Sequence, residues 1–108
     1  MKIPELACTP RTVRRAGGRA VSALKLLANE NRLLLLSQLS QGEMCVSELE
    51  SRLHLHQPTL SQQLCVLRSE GAVRTRRQGT SIYYSVADPK LVRVLGFVCG
   101  LYKLASKP

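Results

Sequence analysis

The hydrophobic pattern of this chain changes period at Gly71, and that change constrains the fold more than any other feature. Before it, Leu60, Leu64 and Leu67 stand at i, i+4 and i+7, the spacing that lines one face of an α-helix. After it, Val73 and Thr75 alternate with Arg74 and Arg76, and Ile82, Tyr84 and Val86 alternate with Tyr83 and Ser85. That is the two-residue period of a strand. The run Arg77-Gln78-Gly79-Thr80-Ser81 between the two strands is a Gly-containing turn. Residues 73–86 therefore read as a β-hairpin with an arginine-rich tip.

The helix ahead of Gly71 opens at Pro58, whose missing N–H costs nothing at a first helical position. Its leucines point inward, so Thr59, Ser61, Gln62, Gln63 and Arg68 point outward, and Gly71 is a natural stop. Cys65, next to Leu64, is expected to be a small packing residue. Upstream, Val46, Leu49 and Leu53 form a short amphipathic stripe, and Leu55-His56-Gln57 makes a tight turn into the polar helix.

The first 18 residues hold two prolines, a Gly pair and three arginines. They read as a basic N-terminal arm, partly helical after Pro10, ahead of one domain over residues 19–108. In residues 19–28, Val21, Leu24 and Leu27 share a helical face. Asn29 suits the cap of a second helix from Glu30 to about Gln41, ended by Gly42. The run Leu33 to Leu36 is apolar nearly all round, which places that helix at the centre of the core. After Asp88 and Pro89, a last helix carries Leu91, Val94, Leu95, Val98, Leu101 and Tyr102 in a wide apolar stripe. Such a stripe at the end of a small domain suggests a partner helix from a second copy.

Composition supports this reading. In 108 residues there is no Trp and one Phe, so the core must be aliphatic. Lys and Arg number 16 against 7 acids, a net charge of +9, which steers a protein toward polyanions. No apolar run approaches the roughly 18 residues of a membrane span, and the basic N-terminus lacks the apolar core of a signal peptide. A cytoplasmic location is expected. The four cysteines, Cys8, Cys45, Cys65 and Cys99, are scattered with no CxxC pair, and a reducing compartment keeps such residues as thiols.

Short helix, tight turn, polar-faced helix and basic hairpin, in that order, form a winged helix-turn-helix pattern: mainly α with a small β-hairpin, and dimeric. Gln, Ser and Thr side chains read base edges in the major groove, where Gln pairs bidentately with adenine. Arginines of the hairpin are expected to contact phosphates or enter the minor groove beside it. The DNA-contact candidates are Gln57, Thr59, Ser61, Gln62, Gln63 and Arg68 on the helix, and Arg74, Arg76, Arg77, Gln78 and Thr80 on the wing. His54 and His56, in the turn, suit phosphate or solvent better than metal. Nothing suggests an enzyme: there is no Ser-His-Asp or Cys-His arrangement, no carboxylate pair and no Gly-rich phosphate loop. Recognition of single-stranded RNA leans on exposed aromatics, and only Tyr83 and Tyr84 lie near the hairpin.

The segment GEMCVSELESRLHLHQPTLSQQLCVLRSEGAVRTRRQGTSIYYSV resembles the core of the ArsR/SmtB transcriptional repressors, and Ala28-Asn29-Glu30-Asn31-Arg32-Leu33 resembles the start of that family's second helix. The likeness runs from about Arg19 to Tyr102. QPTLSQQL and QGTSIYYSV are most similar to the branch of thiol-based regulators responsive to reactive sulfur or redox state. The resemblance implies a homodimer packed through its first and last helices, bound to palindromic double-stranded operator DNA and released by an inducer.

The family's sensor positions are only partly filled. The dithiol branch pairs a cysteine of the second helix with one near the end of the last, and here Ser37 and Lys103 stand there, with Cys99 one helical turn before Lys103. The zinc branch uses Asp and His on the last helix; Asp88 matches, but Lys90, Leu101 and Leu104 do not, and one carboxylate without histidine holds no tetrahedral Zn²⁺. The arsenic branch uses a Cys-Val-Cys-x-x-Cys segment; Cys45 survives, while Ser47 and Glu50 replace the other thiols. No cofactor and no metal site is expected. The candidate thiol sensors are Cys45, with Cys8 or Cys99 as partner, and the candidate inducers are a persulfide-forming or oxidising species, or alternatively As(III) held by Cys45 and Cys8.

Overall fold

A computed structural model describes residues 9–102. Cys8, Lys103 and Leu104, on which three of the sequence expectations fall, lie outside the described residues. Helix α1 spans Pro10–Leu27, α2 Glu30–Leu39, α3 Val46–Leu53, α4 Gln57–Ser69 and α5 Pro89–Tyr102. Strands β1 (Met44–Cys45), β2 (Val73–Gln78) and β3 (Ser81–Val86) form one antiparallel sheet in the order β1-β3-β2. No helix among the described residues is long and apolar enough to cross a membrane.

The helix caps follow the local chemistry. Thr9 accepts the Thr12 N–H through its hydroxyl at 3.2 Å, and Pro10 opens α1. The Asn29 carboxamide oxygen accepts the Arg32 N–H at 3.0 Å and starts α2 as expected. The arm's expected helical part after Pro10 is the start of α1, which runs unbroken from Pro10 through Gly17 and Gly18 to Leu27. The two glycines cost roughly 1 kcal/mol each relative to Ala, which the Thr9 cap, worth about 1 kcal/mol, offsets in part.

The centre of the core is six leucines with almost no exposed surface: Leu35 and Leu36 of α2, Leu49 of α3, and Leu60, Leu64 and Leu67 of α4. The inward stripe on α4 is as its spacing predicts. Two expectations need correction. The leucine run of α2 is not buried all round, since Leu34 is 37% exposed and Leu33 half-buried. In α1, Val21 and Leu24 face outward while Leu26 and Leu27 are buried. In both helices the described residues leave some apolar side chains uncovered. On α5, Leu91 and Leu95 turn inward, whereas Phe97, Leu101 and Tyr102 are 70%, 57% and 78% exposed.

The hairpin has the expected strands and a tighter turn than the five residues read from the sequence. Gln78 pairs with Ser81, leaving Gly79-Thr80 as a two-residue loop, with Gly79 at φ +64°. Glycine at the first of two loop positions supplies the left-handed backbone that such hairpins require. The third strand, β1, has no signal in the hydrophobic pattern.

Candidate nucleic-acid interface

Helix α3, the turn at residues 54–56 and α4 form the helix-turn-helix. His54 closes α3 in the left-handed region at φ +56°, its N–H donating to the Glu50 carbonyl at 2.9 Å. A backbone task therefore accounts for this histidine. Helix α4 starts at Gln57, one residue earlier than Pro58 suggests, with His56 as its cap.

Around α4 the residues divide into three arcs. Leu60, Leu64 and Leu67 are buried; Thr59, Gln63 and Val66 are half-buried; Gln57, Pro58, Ser61, Gln62, Cys65, Arg68 and Ser69 are exposed. At 100° per residue, the outermost line is Pro58, Gln62, Cys65 and Ser69. Cys65 thus faces outward and is exposed, which overturns the packing role expected for it: its neighbour Leu64 is buried, and one residue along a helix turns the side chain away. Ser61 donates its hydroxyl to the Gln57 carboxamide oxygen at 3.0 Å, fixing the first turn.

Gln63 is not simply surface. Its Oε1 accepts Nη1–H of Arg32 at 2.9 Å. The same guanidinium donates Nε–H to the Leu26 carbonyl at 2.6 Å and Nη2–H to the Lys25 carbonyl at 3.1 Å. One α2 side chain thereby caps the last turn of α1 and holds the side chain of α4. Nothing in the sequence pattern singles out Arg32 for this task.

The wing arginines divide between the faces of the sheet. Directly opposed residues of an antiparallel pair share a face. Arg76 opposes Tyr83, and Tyr83 opposes Cys45 on the other side, so all three lie in one row. Arg77 opposes Ile82 in the neighbouring row, on the face that Val73 and Thr75 share. Arg76 is engaged within the chain. Its Nε and Nη2 donate to the two Glu43 carboxylate oxygens at 2.9 and 2.7 Å, and Nη1 donates to Gln78 Oε1 at 2.6 Å. Its guanidinium also lies 4.9 Å from the Tyr83 ring centre. The hydrogen bonds from Arg76 hold the Glu43 carboxyl below the usual glutamate range, and Glu43 in turn raises Arg76. Arg74, Arg77 and Thr80 are exposed and make no side-chain hydrogen bond among the described residues.

Cys45 caps α3. Its N–H donates to Glu48 Oε1 at 3.0 Å, which lowers the Glu48 pKa, and its Sγ lies 3.2 Å from Ser47 Oγ. An open hollow joins this thiol to α4 and the wing, lined by Cys45, Ser47, Glu50, Gln57, Thr80 and Ile82. The three described cysteines are unpaired thiols on different elements. Cys99 is exposed on α5. Among the described residues no group of three or more His, Cys, Asp and Glu side chains is placed to hold a metal ion.

A polar helix seated on a leucine stripe, preceded by a tight helical turn and followed by a cationic hairpin, defines a winged helix-turn-helix DNA-binding protein. The family of bacterial regulatory proteins called arsR matches residues 29–75. The chain is 51% identical over 72 residues to the biofilm growth-associated repressor of Agrobacterium fabrum, covering 67% of this chain and 62% of that one. It is 38% identical over 89 residues to the transcriptional activator HlyU of Vibrio cholerae, covering 82% of each. The crystal structure of the AntR antimony-specific transcriptional repressor superposes with a TM-score of 0.86 at 29% identity, covering 100% of this chain and 98% of that one. The chain belongs to the ArsR family of transcription regulators.

Proposed function

We propose that the chain is a homodimeric, cytoplasmic transcriptional repressor that occupies a palindromic operator and leaves it when an oxidant or reactive sulfur species modifies a cysteine. The observation that carries the DNA reading is the joint placement of the α4 N-terminus and the wing tip, where Gln57 and Thr80 line one hollow beside the exposed polar arc of α4. Pairing of α1 and α5 between two copies accounts for the apolar side chains that each copy leaves exposed, among them Leu24, Phe97 and Leu101.

Cys45 is the thiol best placed to act as the switch. It sits at the base of the wing, in one row with Tyr83 and Arg76, and on the hollow that α4 and the wing share. An adduct there displaces the wing relative to α4. Cys99 or Cys8 serves as the resolving partner.

Likeness to an antimony-specific repressor over the whole chain favours a second reading, in which a trivalent metalloid binds Cys45 and Cys8. Among the described residues only one thiol, Cys45, lines the hollow, and soft thiophilic ions favour several thiolates. Operator binding by the protein with and without hydrogen peroxide, persulfide and arsenite separates the two readings. Release by peroxide or persulfide that a Cys45→Ser variant no longer shows supports the first. Release by arsenite alone supports the second.

A further inference from the structure

The adjacent glutamines of α4 have different jobs. We propose that Gln63, held by Arg32, is a phosphate clamp at the edge of the recognition helix, and that only Gln62 of the pair reads bases. The proposal rests on the DNA-binding reading above and assigns one residue's ligand within it.

Arg32 fixes which end of the Gln63 amide is available. A guanidinium has donors only, so the carboxamide must turn its oxygen toward it, as the 2.9 Å contact shows. The Gln63 Nε2 keeps both hydrogens and has no hydrogen-bond acceptor among the described residues. Bidentate recognition of adenine needs the amide oxygen to accept from N6 while the amide nitrogen donates to N7. Gln63 has its oxygen engaged on Arg32 and offers only donors. Gln62 is exposed, its side chain makes no hydrogen bond among the described residues, and it keeps both functions.

Position and charge choose among acceptors. Gln63 is half-buried and lies about 100° round the helix from Gln62, toward α2, off the arc that can enter a groove. A side chain on the flank of a recognition helix meets the groove wall, which is phosphate backbone. The local field agrees. Arg32 has no carboxylate partner among the described residues, and its charge is offset only by the carbonyl end of α1, through Leu26 and Lys25. A cation behind the amide polarises its N–H bonds and favours an anionic acceptor over a neutral base edge. The same guanidinium ties the clamp to α1, so the phosphate contact fixes α4 against the rest of the domain.

The test measures affinity for operator and for random duplex of equal length, at one salt concentration. Gln63→Ala is expected to lower both affinities by the same factor, about three- to tenfold for one hydrogen bond, leaving their ratio unchanged. Gln62→Ala is expected to reduce the ratio by about tenfold or more, the scale of one bidentate base contact. Gln63→Glu keeps an acceptor for Arg32 but removes the donors and adds a negative charge, so it is expected to weaken both duplexes more than Gln63→Ala while melting no lower than wild type. The proposal is overturned if Gln63→Ala lowers the ratio, if it leaves both affinities unchanged, or if Gln63→Glu binds as wild type does. A wild-type protein that binds no duplex overturns the DNA reading itself, and shows this before any variant is made.

Discussion

Glu43 holds Arg76 by both carboxylate oxygens, at 2.9 and 2.7 Å, across the 33 residues that separate them in sequence. The pair locks the loop before β1 to the wing, with Tyr83 beneath the guanidinium. It also neutralises a wing arginine that by sequence alone suits a phosphate. DNA must compete with Glu43 for Arg76, whereas Arg74 and Arg77 have no such rival among the described residues. Replacement of Glu43 by Gln is therefore expected to strengthen binding to every sequence. It should also steepen the dependence of log affinity on log salt by about 0.9 for each additional phosphate that the protein neutralises. A salt titration that gives the wild-type slope for this variant shows that Arg76 stays off the DNA.

The two depressed carboxylates give the fold a defined acid response. Hydrogen bonding from Arg76 lowers Glu43, and hydrogen bonding from the Cys45 N–H lowers Glu48. A carboxylate whose folded pKa lies below its unfolded value contributes stability that is complete above the unfolded value and is lost as pH falls through the folded one. The ordinary value here is 4.5. Denaturant midpoints of wild type and Glu48→Gln are thus expected to differ by a constant amount near neutrality and to converge once the pH drops below about 4.5 and through the folded pKa. A difference that persists at the acid end assigns the effect to something other than this ionised cap. Both groups are solvent-exposed, so the change is small.

Much of the architecture is legible in the sequence because it is local. Leu60, Leu64 and Leu67 define α4 by spacing, Asn29 announces α2, and alternation after Gly71 gives the hairpin. What the sequence hides is non-local. Strand β1 has two residues, Met44 and Cys45, too few to carry a period, and it exists only because β3 offers it partners at Tyr84 and Tyr83. Gln63 looks like Gln62 in sequence, and only the packing of α2 beside α4 brings Arg32 to one and not the other. Cys65 misleads because a neighbouring buried leucine says nothing of the next side chain on a helix. Counting angles from the Leu60–Leu67 stripe is the signal that gives its outward position.

The leucine run of α2 offers a direct check on which of its members the core uses. Leu35 has no exposed surface, while Leu34 is 37% exposed. Leu35→Ala is expected to cost about 2–5 kcal/mol of unfolding free energy, the range for a buried leucine that leaves a cavity. Leu34→Ala should cost under about 1 kcal/mol, as surface changes do. Equal losses in chemical denaturation place Leu34 in a second interface that the single chain does not show.

Cys65 lies on the outward line of α4 between Gln62 and Ser69, where any bulky group stands between the helix and a groove. In a protein with Cys8, Cys45 and Cys99 changed to Ser, alkylation of Cys65 is expected to reduce operator affinity by about tenfold or more, the scale of one lost base contact. The Cys65→Ser change alone is expected to leave it within about twofold, as a surface substitution does. Mass spectrometry to verify single modification, followed by a gel-shift titration, reads both results. Full affinity after complete alkylation removes this arc of α4 from the DNA interface.

Phe97, 70% exposed on α5, and Leu24, 59% exposed on α1, test the link between assembly and recognition. A palindromic site binds two half-sites at once only if the two recognition helices are held at fixed separation. In the proposed α1–α5 pairing, a glutamate at residue 97 buries a charge at a desolvation cost that the apolar surface does not offset. If wild type forms the proposed dimer, the Phe97→Glu protein is expected to sediment as a monomer at the same concentration, with an unchanged far-ultraviolet circular dichroism spectrum because residue 97 is exposed in the single chain. Operator affinity should fall by more than about a hundredfold, since the second half-site contact is no longer intramolecular. Binding to a single half-site should change little. A monomer that still binds the full operator as tightly as wild type separates DNA recognition from the pairing of α1 and α5.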